Sequence, residues 1–289
     1  MAQNTIIGVD VGGSNIRIGK VVHDRITRRE KQSITAKGTE QQVIDEVISA
    51  IDTVFDSDVT GIGVGVPSLV DVKEGVLYHV QNIPAWKRVP LRDILESRFN
   101  RPVYINNDAN CFAAGEKHFG AGKDYQSFVG LILGTGFGAG IVIDNQLYLG
   151  VNCGAGEFGC IPYLDAMYES YCSGQYFTEK HHIRGEELNQ MAQKGDPEAL
   201  KIFSEYGKHV GNALKTIMLA VDPEAIILGG SISVCYPYFK DALQQSLNSF
   251  IYPHAVERLA IRTTTHPDIA VLGAAALYYD AQNHRNRRI

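Results

Sequence analysis

Asp10-Val11-Gly12-Gly13-Ser14-Asn15 and Leu133-Gly134-Thr135-Gly136-Phe137-Gly138 are glycine-rich turns of one design. Each is entered from an apolar run, residues 5–9 or 128–132, and left through another, residues 16–22 or 141–143. Glycines there allow tight turns and let backbone N–H groups close on an anion. Each turn holds a hydroxyl residue, Ser14 or Thr135, and a carboxylate, Asp10, opens the first. One such turn alone is a crowded hairpin; two suit the clasping of a polyphosphate. A third pair, Gly229-Gly230, follows the apolar Ala225-Ile226-Ile227-Leu228, where a nucleotide's base and ribose commonly rest. Ser14 lacks a preceding lysine at Walker A spacing, and no G-x-G-x-x-G opens a helix, so neither common nucleotide fingerprint is present.

Other polar residues have two readings each. Asp10 at a strand end is either an Asx turn or a carboxylate that serves Mg²⁺ through water; the glycines beside it favour the metal. In Asn106-Asn107-Asp108-Ala109-Asn110, ordinary helix capping explains the pattern taken alone. Joined to two phosphate loops, a carboxylate here is placed to take the proton of an acceptor hydroxyl. Gly154-Ala155-Gly156-Glu157-Phe158-Gly159 is either a surface loop or a rim bringing Glu157 to polyol hydroxyls. Cys153, Cys160 and Cys172 match no common zinc spacing, and buried free thiols fit better.

The elements that must hold these residues alternate between strand and helix, an α/β plan. Apolar periodicity predicts helices over 41–55, 109–119, 197–220, 238–250 and 271–280, with Pro90 opening another through Phe99. Strands are predicted over 61–66, 103–105 and 225–228 besides the two hairpins. The halves repeat strand, glycine turn, strand, which suggests a duplicated domain with its break near Gly120-Ala121-Gly122. The 289 residues suit two domains, and a net charge of −5 leaves no electrostatic footprint for nucleic acid. The basic tail His284-Arg285-Asn286-Arg287-Arg288 is expected to be solvated. No signal peptide or membrane span is expected, and five cysteines without a C-x-x-C pair suit the cytoplasm.

Together these residues resemble the ROK sugar kinases (repressor, open reading frame, kinase). The resemblance rests on residues 10–17, Gly134-Thr135-Gly136 and Leu228-Gly229-Gly230. It extends to Gly65-Val66-Pro67-Ser68-Leu69-Val70-Asp71, Asn82-Ile83-Pro84-Ala85-Trp86, residues 106–110, Gly156-Glu157-Phe158-Gly159 and Gly273-Ala274-Ala275-Ala276. It implies a two-domain α/β ATPase fold of the actin-like, hexokinase-like (ribonuclease H-like) kind, with an interdomain cleft. The N-terminal domain would span 1–119 and the C-terminal domain 120–269, with a helix over 270–289 crossing back onto the first.

The roles implied are these. Asp108 would be the general base on a sugar's 6-hydroxyl, with Ser68, Asn82, Asn107, Glu157 and Glu169 binding the other hydroxyls. Asp10 would serve Mg²⁺. Gly12, Gly13, Ser14, Asn15, Gly134, Thr135 and Gly136 would hold the phosphates of ATP, and Gly229 and Gly230 the adenosine. The family usually has histidine after Gly-Glu-x-Gly, touching the sugar near its anomeric end, and then a cysteine cluster binding structural zinc. Here Cys160 stands at the histidine, and 161–168 is too short for the cluster before Tyr168-Glu169-Ser170-Tyr171-Cys172-Ser173-Gly174 resumes the pattern. No structural zinc is therefore expected.

The reading is an ATP- and Mg²⁺-dependent hexose kinase acting on glucose, homodimeric as the family suggests. Its alternatives are a kinase of N-acetylmannosamine, N-acetylglucosamine, allose, fructose or a β-glucoside, and a non-catalytic sugar-sensing relative. A DNA-binding regulator is disfavoured because the first loop begins at Asp10, leaving no room for a helix-turn-helix.

Overall fold

The computed structural model of the chain describes residues 4–80 and 82–286, with side chains to residue 282. The basic tail's side chains and the first three residues lie outside the described residues. The chain forms two compact units. The first takes in the chain up to Lys123, Gly140–Ala155 and the stretch from His266 onward; the second is Asp124–Ala139 with Gly156–Thr265.

In the first unit, β1 (Thr5–Val11) is buried at every residue, as a near-continuous apolar run in a central strand should be. It pairs antiparallel with β2 (Asn15–Val22), which sets Asp10 opposite Arg17. β3 (Arg25–Ser33) is a mostly exposed edge strand on β2. Helix α1 (Glu40–Asp52) is capped by the Thr39 hydroxyl, which accepts the Gln42 N–H at 3.2 Å, and it buries Val43, Ile44, Val47 and Ile51. β4 (Val59–Val66) runs parallel to β1. A small sheet of β5 (Leu69–Asp71), β6 (Val76–Tyr78) and β7 (Arg88–Val89) follows, then α2 (Leu91–Phe99), with Pro90 at its N-cap. β8 (Val103–Asn107) pairs with β4 and leads directly into α3 (Asp108–His118). The main sheet therefore has the order β3-β2-β1-β4-β8.

The second sheet repeats that plan. It is built from β9 (Phe128–Leu133), β10 (Phe137–Ile143), β11 (Gln146–Tyr148), and later β14 (Ala225–Gly229) and β15 (Ala260–Thr263), in the order β11-β10-β9-β14-β15. Between these, β12 (Pro162–Tyr163) and β13 (Ala166–Met167) form a short hairpin ahead of α4 (Tyr168–Cys172). A π-helical turn at Tyr176–Lys180, α5 (Gly185–Gln193) and the long α6 (Pro197–Val221) follow. Asp196 caps α6 by accepting the Ala199 N–H at 2.9 Å. β14 (Ala225–Gly229) is fully buried and parallel to β9; α7 (Tyr236–Leu247), α8 (Pro253–Arg258) and β15 (Ala260–Thr263) complete the unit.

Helix α9 (Ile269–Asn286) belongs to the first unit and packs on α3, β1 and β4. Small residues make that contact close. A Cβ on Gly63 would lie 1.8 Å from the Ala274 carbonyl oxygen, and one on Gly8 would lie 2.1 Å from that of Val271.

Gly140–Ala155, within the stretch 120–269, groups with the first unit. Gly140 sits against α3, where a Cβ would fall 2.4 Å from the Ala109 carbonyl oxygen. Asn145 Oδ1 accepts from Lys117 at 2.7 Å, and the Leu147 N–H reaches the Asp280 carboxylate at 3.5 Å.

Candidate functional site

The candidate residues fall into two groups, one in each unit. In the first, Asp10 is the next-to-last residue of the buried β1, with its carboxylate nearly enclosed. Arg17, directly across the hairpin, donates from Nε at 2.7 Å and holds the same oxygen from a terminal nitrogen at 2.6 Å. Burial pushes the Asp10 carboxyl up, and the Arg17 charge and hydrogen bond oppose that rise. A buried carboxylate at a glycine turn has the chemistry to hold a hydrated Mg²⁺, which would offset its desolvation. The turn itself is closed by the Gly12 N–H on the Asn15 carbonyl at 2.9 Å, and Ser14 is exposed.

Asp108 is the first residue of α3, at the carboxyl end of β8, and its side chain is exposed. The strand-to-helix corner beneath it is built from amides. Asn107 Oδ1 caps the helix by accepting the Asn110 N–H at 2.7 Å. The buried Asn106 Oδ1 accepts the Asn107 N–H at 2.9 Å, Asn110 Nδ2 at 3.0 Å and the Cys153 thiol at 3.2 Å. Capping and function are thus compatible here: the cap consumes Oδ1 of Asn107 and leaves its Nδ2 out of the bond. Asn82 lies beside the first glycine turn, where a Cβ on Gly13 would be 2.8 Å from its Cβ. Ser68, partly exposed after β4, donates its hydroxyl to the Leu69 carbonyl at 3.2 Å.

In the second unit, the Gly134-Thr135-Gly136 turn is closed on itself and tied to two other segments. The Gly134 N–H meets the Gly136 carbonyl at 3.1 Å, the Gly174 N–H donates to the Gly134 carbonyl at 2.7 Å, and the Ile232 N–H donates to that of Leu133 at 2.9 Å. Gly229 ends β14, and Gly230 turns at φ +83° with no room for a Cβ against the Leu133 carbonyl. Beside this turn lies a cavity of about 600 Å³ lined by Gly134, Thr135, Gln175, Arg184, Asn189, Ser231 and Cys235 among others. Its size fits a nucleotide, and its mixed lining sets Thr135, Gln175, Arg184, Asn189 and Ser231 beside the apolar Phe177, Ile232 and Val234. The wall after the glycine pair comes from Ser231 onward rather than from Gly229 and Gly230 themselves. Gln175, Arg184 and Asn189 escape sequence reasoning because they sit at the N-cap of a π-helical turn, at the N-cap of α5 and within α5, without a shared spacing.

Glu157 is exposed on the loop before a single 3₁₀ turn at Phe158–Cys160. Partial desolvation of its carboxyl and then the nearby Glu169 charge raise its pKa, while the Cys160 thiol, donating at 3.9 Å, pulls it back. Among the described residues no group of three or more His, Cys, Asp or Glu is placed to hold a metal ion. The stretch that follows Cys160 is held by rings instead: Tyr163 stacks on Tyr168 at 4.4 Å and meets His209 edge-on at 5.7 Å.

Comparison with known proteins places this arrangement. A glucokinase of Thermotoga maritima is 28% identical over 96% of this chain and 98% of its own length. An N-acetyl-D-glucosamine kinase of Citrobacter koseri is 30% identical over 78% of this chain and 84% of its own. Among solved structures, a ROK family glucokinase from Streptomyces griseus, in complex with glucose and AMPPNP, superposes with a TM-score of 0.80 at 29% identity. That match covers 95% of this chain and 99% of the other. The fold is therefore the actin-like, hexokinase-like one, and no helix among the described residues is long and apolar enough to cross a membrane. With the family's model matching residues 6–281, from β1 through most of α9, the chain belongs to the ROK family.

Proposed function

We propose that this protein is an ATP-dependent hexose kinase that phosphorylates the sugar's 6-hydroxyl, with glucose the first substrate to test. The observation that carries the reading is Asp108: an exposed carboxylate set by a capped, amide-braced corner, in a chain whose other unit has a nucleotide-sized cavity beside a glycine turn. Asp108 takes the hydroxyl proton as the oxygen attacks the terminal phosphorus of ATP, and ADP leaves. Asn107 Nδ2, Ser68 and Asn82 from the first unit, and Glu157 and Glu169 from the second, bind the remaining hydroxyls. The backbone of Gly12, Gly13, Ser14 and Asn15, and that of Gly134, Thr135 and Gly136, holds the phosphates, with Gly229 and Gly230 shaping the adenosine end. Asp10 would hold Mg²⁺ through water, and that ion supplies charge neutralisation for the phosphates. The same reading carries a homodimer working in the cytoplasm.

A kinase of an N-acetylated hexosamine is the second reading. It is favoured by the 30% identical N-acetyl-D-glucosamine kinase and by Cys160, a small side chain next to Glu157. Coupled measurement of ADP release with ATP and Mg²⁺ across glucose, mannose, fructose, allose, N-acetylglucosamine, N-acetylmannosamine and a β-glucoside decides between them. No sugar-dependent ADP release from any of these would leave a non-catalytic sugar sensor.

A further inference from the structure

Glu169 is the second residue of α4, and both of its carboxylate oxygens are engaged. Oε2 accepts the backbone N–H of Phe137 at 3.0 Å, at the residue that closes the Gly134-Thr135-Gly136 turn. Oε1 accepts from Gln175 Nε2 at 3.3 Å, and Gln175 lines the cavity beside that turn. The seat exists because residue 136 is glycine: a Cβ there would lie 2.7 Å from Oε2.

A five-residue helix does not hold a carboxylate still by itself, but α4 is pinned to α6 at both ends. Ahead of Glu169, the Tyr168 hydroxyl pairs with Thr216 Oγ1 at 2.8 Å and reaches the Asn212 carbonyl at 3.3 Å. Behind it, the Tyr206 hydroxyl donates to the Cys172 carbonyl at 2.7 Å. Tyr163 covers Tyr168, and its oxygen accepts from Asn212 Nδ2 at 2.8 Å. The Tyr163 hydroxyl also pairs with His209 Nδ1, 3.1 Å away. The Glu169 carboxylate is therefore a fixed acceptor against which the glycine turn is set.

We infer that Glu169 is a positioning residue for the phosphoryl donor: it orients the peptide at Gly136-Phe137, so that one carboxylate serves the phosphate turn as well as the sugar. A charge-assisted hydrogen bond to a backbone N–H is among the stronger ones available to a turn. The first unit has a parallel in Asn82, a proposed sugar ligand that packs on Gly13 of the other turn. The inference rests on the kinase reading and deepens it.

The test is calorimetric titration of ADP with Mg²⁺ and without sugar, on the full chain. Glu169→Ala should weaken ADP binding about tenfold, the scale of one lost charged hydrogen bond. Glu169→Gln should stay within about threefold, because the amide oxygen can still accept the Phe137 N–H. Gly136→Ala, which displaces the carboxylate without removing it, should behave as Glu169→Ala does, and it decides the matter if Glu169→Ala fails to fold by circular dichroism. In steady state the KM for ATP should rise along with that for the sugar; a rise in the sugar KM alone is what a plain sugar ligand gives. Wild-type affinity for ADP in folded Glu169→Ala, or in Gly136→Ala, overturns the inference and leaves the kinase reading standing. Wild-type protein that binds no ADP overturns both.

Discussion

Asn107 Oδ1 accepts the backbone N–H of Asn110 at 2.7 Å, so the residue before Asp108 caps the helix on which Asp108 is the first residue. Capping and sugar binding use different atoms of one side chain, and substitution can separate them. Asn107→Ala should cost about 1 kcal/mol of stability through the lost cap. Asn107→Asp caps equally well and should melt near the wild-type urea midpoint. It has no N–H₂ to offer a hydroxyl, and it adds negative charge next to Asp108, so its sugar KM should rise. Urea melts and steady-state kinetics on the same preparations check both halves.

His118, near the end of α3, sets a pH dependence. Burial, and then the charges of Lys117 and Lys123, lower its pKa from 6.5 to about 4. Between those values the unfolded chain binds a proton that the folded chain refuses, so His118 subtracts stability as pH falls from about 6.5 to about 4 and contributes nothing above. The loss at the low end is up to about 3 kcal/mol. His118→Gln should flatten that part of the stability curve. Carboxylates titrate over the same range, so the measurement is the difference between wild-type and variant urea midpoints from pH 7 to pH 4. Parallel curves would remove His118 as the cause.

Gly63, in the middle of β4, meets α9 so closely that a Cβ would lie 1.8 Å from the Ala274 carbonyl oxygen. Backbone on both sides gives little room to yield. Gly63→Ala should therefore destabilise by about 1–3 kcal/mol or more, as overpacking does. Gly195, which turns at φ +77° with open space around its Cβ position, is the control: its alanine variant pays only for the strained backbone. A Gly63→Ala melting temperature as high as that of Gly195→Ala would contradict the packing of α9.

What the residues disclose by themselves follows from how each element is held. The helical stripe of Val43, Ile44, Val47 and Ile51, and Ile62, Val64 and Val66 of β4, announce themselves because their side chains do the packing. β3 announces nothing: Arg25–Ser33 is charged on both faces and is a strand only because its backbone pairs with β2. Among candidate site residues, Asp10, Asn107, Asp108 and the glycine turns sit at strand ends, where local sequence already places them. The cavity wall at Gln175, Arg184 and Asn189 is assembled by tertiary packing of separate segments. The double use of Glu169 is hidden for the same reason, since Phe137 lies 32 residues away along the chain.

Asp108 itself gives the sharpest prediction. Its Oδ1 accepts the N–H of Ala109 at 2.9 Å, a bond that an asparagine Oδ1 reproduces. Asp108→Asn therefore keeps the shape of the corner and loses the capacity to take a proton. A small stability loss of about 0.3–1 kcal/mol is expected from removing a negative charge at a helix N-terminus. Turnover should fall far more, by about 10²–10⁴-fold, which is the span of general-base contributions. Glucose affinity, measured by calorimetry without ATP, should stay within about threefold, because the hydrogen-bonding outline survives. ADP release at near wild-type rates from a folded Asp108→Asn enzyme would take the base role away from this residue. A collapse of turnover with intact sugar binding assigns the proton transfer to it, since the variant differs from wild type only in replacing a carboxylate oxygen with an amide.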